Sequence, residues 1–134
     1  MKRVLILCTG NSCRSIIAEA LINKHLQGVK AYSSGVKASG KVNLNAKRVL
    51  EENNCWKDSY HSKTIDKVLD KEFDLIVTVC DNAKETCPTF PKPIKTIHIG
   101  FSDPDGKDYK EFIKTFNDIK NRLLPIVKKE LNLA

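Results

Sequence analysis

Cys8, Arg14 and the residues between them form the segment of this sequence that is best suited to chemistry. The segment follows a short apolar run, residues 4–7, and a helix-compatible pattern begins at Ser15. Where a buried strand leads into a helix, unpaired N–H groups and the helix dipole favour an anion. Gly10 allows successive backbone amides to curl around such a ligand. We therefore predict a loop that binds a tetrahedral oxyanion through Thr9, Gly10, Asn11, Ser12, Cys13 and Arg14.

Three side chains around this loop have predicted roles of their own. The positive field of the helix terminus is expected to lower the pKa of Cys8 and make it a nucleophilic thiolate near neutral pH. Arg14 is expected to bind two oxygens of the anion, and Ser15 to form a hydrogen bond with the Cys8 sulfur. The competing interpretation is a buried cysteine followed by an ordinary helix start. The strand, the glycine and the helix around the pair favour the functional interpretation.

Cys80 and Cys87 form a second pair of thiols. Cys80 follows the strand predicted at residues 73–79, so it is expected at the same sheet edge as Cys8. A structural zinc site is disfavoured because it needs four ligands at characteristic spacings, which the three histidines do not supply. Two packed core cysteines and a thiol relay both remain as interpretations. A relay needs a reactive attacking thiol and a mobile partner, and the polar segment before Cys87 would allow it to approach Cys80.

The elements that must position these groups alternate along the chain. Short apolar runs predict strands at residues 4–7, 29–33, 73–79 and 94–99, and helical patterns cover residues 15–27, 43–53, 64–69 and 108–131. Pro125 is expected to kink or interrupt the last helix. Strands that alternate with helices predict right-handed crossovers. The predicted fold is an α/β domain with a four-stranded parallel sheet and helices on both faces.

Length and composition limit the class of protein. The 134 residues, 41% hydrophobic and 29% charged, predict a single domain over residues 1–134. The net charge of +7 suits an anionic partner, but only 7% of residues are aromatic and no basic run is interleaved with them, which disfavours nucleic acid. No apolar run is long enough to cross a bilayer, and the first one ends too early for a signal peptide. The expectation is a cytoplasmic monomer, and its five cysteines are an odd number for a disulfide scaffold.

The Cys-x5-Arg-Ser pattern directly after the first strand resembles the low-molecular-weight protein tyrosine phosphatases, and the resemblance extends over essentially the whole chain. In that family an Asp-Pro pair near the last helix carries the general acid, and Asp103-Pro104 matches it. A carboxylate held near the leaving oxygen is suited to that role. In isolation the pair is an ordinary turn, an interpretation that Asp105-Gly106 beside it supports.

The three cysteines Cys8, Cys80 and Cys87 are together similar to those of the thioredoxin-coupled arsenate reductases. The stretch from His98 to Pro104 is similar to the acid loop of those enzymes, and Asp105 stands where the phosphatases commonly carry a tyrosine. The resemblance implies that Cys8 attacks arsenate, Asp103 protonates the departing hydroxyl, and Cys80 and Cys87 form the final disulfide, which thioredoxin reduces.

The same resemblance implies several further features. No metal or organic cofactor is required, and Cys13 and Cys55 are spectators. Some members of the family bind potassium near the loop; Asn11, Glu19 and Ser33 match three of the ligands, but Thr64 stands where an aspartate would be. Two other functions stay open: an aryl phosphatase that uses a Cys8 phosphocysteine, and a non-catalytic module that binds an oxyanion or a redox partner.

Overall fold

The computed structural model describes residues 1–80 and 94–133. The described elements, in chain order, are strand β1 (Lys2–Cys8), helix α1 (Arg14–His25), strand β2 (Val29–Gly35), helix α2 (Leu44–Glu52), a single 3-10 turn (Ile65–Lys67), strand β3 (Leu75–Thr78), strand β4 (Thr96–His98) and helix α3 (Tyr109–Glu130). Each predicted strand and helix corresponds to one of these elements. The helix expected at residues 64–69 is only the short 3-10 turn.

The four strands form one parallel sheet in the order β2-β1-β3-β4. Cys8 pairs with Gly35 across β1 and β2, and Leu7 pairs with Thr78 across β1 and β3. On β4, His98 lies opposite Thr78. The carboxyl ends of all four strands therefore meet at one edge of the sheet, and Cys8 is the last residue of a central strand.

The core is built around β1 and α1. Residues 4–7 are fully buried, as expected for a strand of a parallel sheet covered on both faces. Every residue of α1 from Ser15 to Ile22 is also buried, which is typical of a helix enclosed on all sides. This helix packs against β1, β2 and α3. The residues that follow Cys8 are thus held between two rigid elements.

Helix α3 has one apolar face and continues through Pro125. Its buried residues follow helical spacing: Phe112, Thr115, Phe116, Ile119, Leu123 and Val127. Of the two outcomes expected at Pro125, an interruption does not occur. Pro125 lies on the exposed face, where water can satisfy the carbonyl that loses its intrahelical partner.

The observed sheet and its helices confirm the predicted fold class. Among the residues that the structure describes, no helix is both long and apolar enough to span a membrane.

Candidate active site

The oxyanion loop, residues 9–14, begins where β1 ends and runs directly into α1. Gly35 lies beside it at the end of β2. A Cβ added at Gly35 would lie 2.5 Å from the Thr9 carbonyl oxygen and 3.1 Å from the Asn11 backbone nitrogen. Neither backbone atom can move away without displacing the loop, so only glycine allows this close approach.

The segment of residues 36–43 holds the outer side of the loop through backbone hydrogen bonds. Four of its N–H groups donate to loop carbonyls at 2.9–3.0 Å: Val36 to Cys8, Lys37 to Thr9, Ser39 to Gly10 and Asn43 to Ser12. In a planar trans peptide the C=O and N–H bonds point in opposite directions, and no described peptide bond is cis. The N–H groups that follow these carbonyls, those of Thr9, Gly10, Asn11 and Cys13, therefore point away from this segment. The Thr9 N–H lowers the pKa of the Cys8 thiol, as expected for an amide that faces the sulfur.

A buried polar network braces the loop from beneath. Asn11 is fully buried, has a left-handed backbone with φ of 49°, and donates from Nδ2 to Ser15 Oγ at 2.7 Å and to Ser33 Oγ at 3.0 Å. Ser33 donates in turn to Glu19 Oε1 at 2.6 Å. Burial raises the pKa of Glu19, although the nearby Lys63 ammonium opposes that shift. Since the members satisfy one another, the network fixes the conformation of Asn11 without a ligand.

Arg14 connects the loop to the acid loop, residues 101–107. Its Nη1 donates to the Phe101 carbonyl oxygen at 3.0 Å, and its Nη2 lies 3.5 Å from Asp103 Oδ2. The Arg14 side chain is 14% exposed and that of Asp103 is 53% exposed. The guanidinium expected to bind the anion is therefore adjacent to the carboxylate expected to protonate the leaving group.

Cys80 lies next to Cys8, as its position after β3 predicted. Neither thiol forms a disulfide, both are buried, and Thr9 Oγ1 lies 3.1 Å from the Cys80 sulfur. The hydrogen bond with Cys80 and burial raise the pKa of the Cys8 thiol, while Arg14 and the Thr9 N–H lower it. The expected lowering of the Cys8 pKa is therefore wrong for this arrangement. The Cys80 thiol and burial together outweigh the lowering effects of Arg14 and the Thr9 N–H.

A family model described as "Low molecular weight phosphotyrosine protein phosphatase" matches residues 3–132. The chain belongs to this phosphatase family. An arsenate reductase of Brevibacillus brevis is 41% identical over 123 residues, which are 91% of this chain and 91% of that protein. A crystal structure of arsenate reductase from Archaeoglobus fulgidus is 34% identical, with a TM-score of 0.79 over 92% of this chain and 98% of that chain. A thioredoxin-dependent arsenate reductase of Corynebacterium glutamicum shares the fold at 20% identity, with a TM-score of 0.79 over 98% of this chain and 62% of that one.

One of the remaining residues predicted at the site, Cys87, lies outside the described residues. Ser15 is buried beside the loop and accepts a hydrogen bond from Asn11 Nδ2, so its predicted contact with Cys8 stays a prediction. Cys13 is buried in the loop, and burial raises its pKa to about 11. Burial also raises the pKa of Cys55, which lies away from the loop after α2.

The potassium ligands suggested by the family resemblance do lie together, but their polar atoms bind one another. Asn11 Oδ1 accepts from the Lys63 N–H at 2.8 Å, and Ser33 Oγ both accepts from Asn11 and donates to Glu19. The Thr64 hydroxyl is exposed and donates to Asp66. A cation site needs several oxygen lone pairs directed at one point. In this arrangement the donor set does not fit potassium.

Three residues that support the site were not predicted as functional from the sequence. Gly35 follows the strand predicted at residues 29–33, and a glycine at a strand end can indicate close backbone approach. Ser62 donates to the Gly10 carbonyl at 3.1 Å, and Lys63 contacts Asn11 through its backbone. Both come from a segment distant in sequence from the loop, so no local pattern could have identified them.

Proposed function

We propose that this chain reduces arsenate to arsenite through a relay of three cysteines. The observation that carries the proposal is the position of Cys80 beside Cys8, with the Cys80 sulfur 3.1 Å from Oγ1 of Thr9 at the start of the oxyanion loop. A hydrolytic phosphatase needs one nucleophilic thiol, whereas reduction of arsenic requires a second thiol within reach of the first. The similarity to arsenate reductases from Brevibacillus brevis and Archaeoglobus fulgidus supports the same substrate.

In the first proposed step, the Cys8 thiol passes its proton to the bound arsenate, and the resulting thiolate attacks arsenic held by residues 9–14. An S–As bond forms, and one hydroxyl leaves as water after Asp103 donates a proton. Arg14 and the loop amides stabilise the charge on the arsenate oxygens. Arsenic remains in the +5 state at this stage.

In the second step, the Cys80 thiolate attacks the Cys8 sulfur. The new S–S bond replaces the S–As bond, whose electron pair remains on arsenic, so arsenic(V) becomes arsenite and two thiols become one disulfide. Cys87 then attacks Cys80, which regenerates the Cys8 thiol and leaves a Cys80–Cys87 disulfide. Every electron comes from a thiol, so the proposed reaction needs no metal or organic cofactor.

We further propose that thioredoxin reduces the final disulfide and that the protein acts as a cytoplasmic monomer of one domain. The thioredoxin-dependent arsenate reductase of Corynebacterium glutamicum supports this reductant through its shared fold. A supply of glutathione and glutaredoxin in place of thioredoxin tests the choice. Faster turnover with glutaredoxin would contradict it.

The decisive experiment is a single turnover with the reduced protein in excess over arsenate, followed by mass-spectrometric mapping of disulfides. The expected product is one arsenite per disulfide, with the bond between Cys80 and Cys87. Cys87→Ser should release one arsenite and stop with a Cys8–Cys80 disulfide, while Cys8→Ser should release none. Cys55→Ser, remote from the loop, is the control.

Continued turnover by Cys87→Ser with thioredoxin, thioredoxin reductase and NADPH at the parental rate would exclude the relay. The alternative function is hydrolysis of aryl phosphates, favoured by the presence of Asp103 beside Arg14. In that case the parent would hydrolyse p-nitrophenyl phosphate efficiently and produce no arsenite, and Cys80→Ser would leave hydrolysis unchanged.

A further inference from the structure

We propose that Asn43 and Asp105 form a clasp that positions the general acid Asp103 over the oxyanion loop. The inference rests on the proposed function, because it assigns two positioning residues to the acid step. Neither residue contacts the reacting atoms in this proposal. They act by fixing the acid loop relative to residues 9–14.

Asn43 is anchored by three hydrogen bonds, one from its backbone and two to its side chain. Its backbone N–H donates to the Ser12 carbonyl at 2.9 Å. Its side-chain Oδ1 accepts from the backbone N–H groups of Asn45 at 2.8 Å and Ala46 at 3.3 Å, which makes Asn43 the N-cap of α2. Since both contacts fix the side chain, the remaining Nδ2 is directed to one place. It donates to Asp105 Oδ1 at 2.9 Å.

Asp105 in turn restrains the side chain of Asp103. Its backbone N–H donates to Asp103 Oδ1 at 3.0 Å, which leaves Oδ2 of the same carboxylate facing Arg14 Nη2. A closed circuit results, from Ser12 through Asn43, Asp105 and Asp103 to Arg14, which returns to the loop. Within it, the hydrogen bond between Asn43 and Asp105 joins residues 62 positions apart in sequence.

The acid loop needs such a restraint because little of it is packed. Residues 102, 103 and 105–107 are exposed, and only Phe101 and Pro104 are buried. The contact between Arg14 and Asp103 is long, at 3.5 Å, and exposed ion pairs hold their partners weakly. A general acid must stay within hydrogen-bond reach of the oxygen that it protonates. The clasp supplies that restraint from outside the core.

The test compares Asn43→Ser, Asp105→Ala and Asp105→Asn with the parent. Serine is also a good N-cap, so Asn43→Ser keeps the start of α2 and loses only the contact with Asp105. Asp105→Ala removes the same contact from the other side. Asp105→Asn removes the charge but keeps an oxygen that can accept from Asn43, so it separates geometry from electrostatics.

The measurement is the single-turnover rate of arsenite formation at saturating arsenate, together with the dissociation constant of arsenate. We expect Asn43→Ser and Asp105→Ala each to lower the rate about tenfold, a part of the contribution that a general acid makes, and to leave arsenate binding unchanged. The double variant should be no slower than either single variant, because both remove one contact. Asp105→Asn should react at close to the parental rate.

A parental rate in Asn43→Ser would overturn the clasp, as would equal loss in Asp105→Asn and Asp105→Ala. Weaker arsenate binding without a slower rate would also overturn it, because the contact would then shape the anion site and not the acid. If the parent itself produced no arsenite, the proposed function would fail, and the same variants would be tested on p-nitrophenyl phosphate hydrolysis. A parent inactive with both substrates would overturn the clasp together with the function.

Discussion

The floor of the oxyanion loop and the acid loop at its rim are built in opposite ways. Beneath the loop, Asn11, Ser15 and Ser33 are fully buried, Glu19 is nearly so, and hydrogen bonds connect them into one network. At the rim, Asp103 is about half exposed and is held by Arg14 and the adjacent backbone.

The difference follows from what each part must do. Binding of an oxyanion is strongest when the donors are fixed before the ligand arrives, and close packing fixes them. In the proposed reaction the acid must stay within reach of the leaving oxygen, and on an exposed loop a few hydrogen bonds, among them that between Asn43 and Asp105, hold it in place. The predictions below change one part at a time, from the largest expected effect to the smallest.

Gly35→Ala should disrupt the oxyanion loop. The new methyl group would meet the Thr9 carbonyl at 2.5 Å, so the loop must shift, and overpacking of this kind costs about 1–3 kcal/mol of unfolding free energy. Displaced amides no longer converge on the anion, and we expect arsenite formation to fall by about 100-fold or more. Urea denaturation and single-turnover kinetics measure the two effects.

Gly40→Ala is the matched control for that variant. Gly40 has φ of +83°, but an added Cβ meets no atom within 4 Å. It should lose stability through backbone strain and keep its turnover. Equal loss of turnover in the two variants would show that close approach at Gly35 is not the cause.

Asp103→Asn should slow the acid step and leave the oxyanion loop and the network beneath it intact. Asparagine cannot donate the proton, so arsenite formation should slow by about 100-fold, the lower end of what acid catalysis supplies. Because the Asp103 side chain is half exposed and its contact with Arg14 is long, the unfolding free energy should change by less than about 1 kcal/mol. Arsenate affinity, measured by calorimetry, should stay close to that of the parent. A large loss of affinity would show that Asp103 helps to build the anion site.

Cys80→Ala should lower the pKa of Cys8. The hydrogen bond with Cys80 is the largest cause that raises this pKa, so its removal leaves the lowering effects of Arg14 and the Thr9 N–H less opposed. In the variant, the Cys8 thiolate should therefore appear at lower pH than in the parent. Thiolate absorbance during a pH titration, read against Cys8→Ser in each background, reports the shift. Cys55→Ala is the control, and an unchanged or raised Cys8 pKa in Cys80→Ala would contradict the sulfur–sulfur contact.

What could be predicted from the sequence depended on local pattern and on topology. The apolar runs and their alternation with helices were enough for the parallel sheet, and the rule that strand ends share one edge placed Cys80 beside Cys8. The direction of the Cys8 pKa shift could not be predicted in the same way, because it depends on a sulfur–sulfur contact and not on the helix terminus alone.

Contacts between distant exposed loops were equally out of reach. The bond between Asn43 and Asp105 joins two polar residues whose own surroundings suggest only a helix cap and a turn. Lys63 meets Asn11 through its backbone, which carries no side-chain signature at all. The interruption expected at Pro125 also does not occur. The proline lies on a face of α3 that stays exposed once the helix is packed, and the proline alone does not reveal which face that is.

The two sulfurs at the centre of the site belong to different strands: Cys8 ends β1, and Cys80 lies just beyond β3. Backbone hydrogen bonds from the segment after β2 hold the anion loop, and Cys80 contacts the loop through Oγ1 of Thr9. In the proposed reaction, the anion loop and the second thiol are therefore supplied by different strand ends of the sheet. A thiol grafted at the end of the neighbouring strand would be the minimal change by which an engineer could convert a hydrolase of this architecture toward redox chemistry.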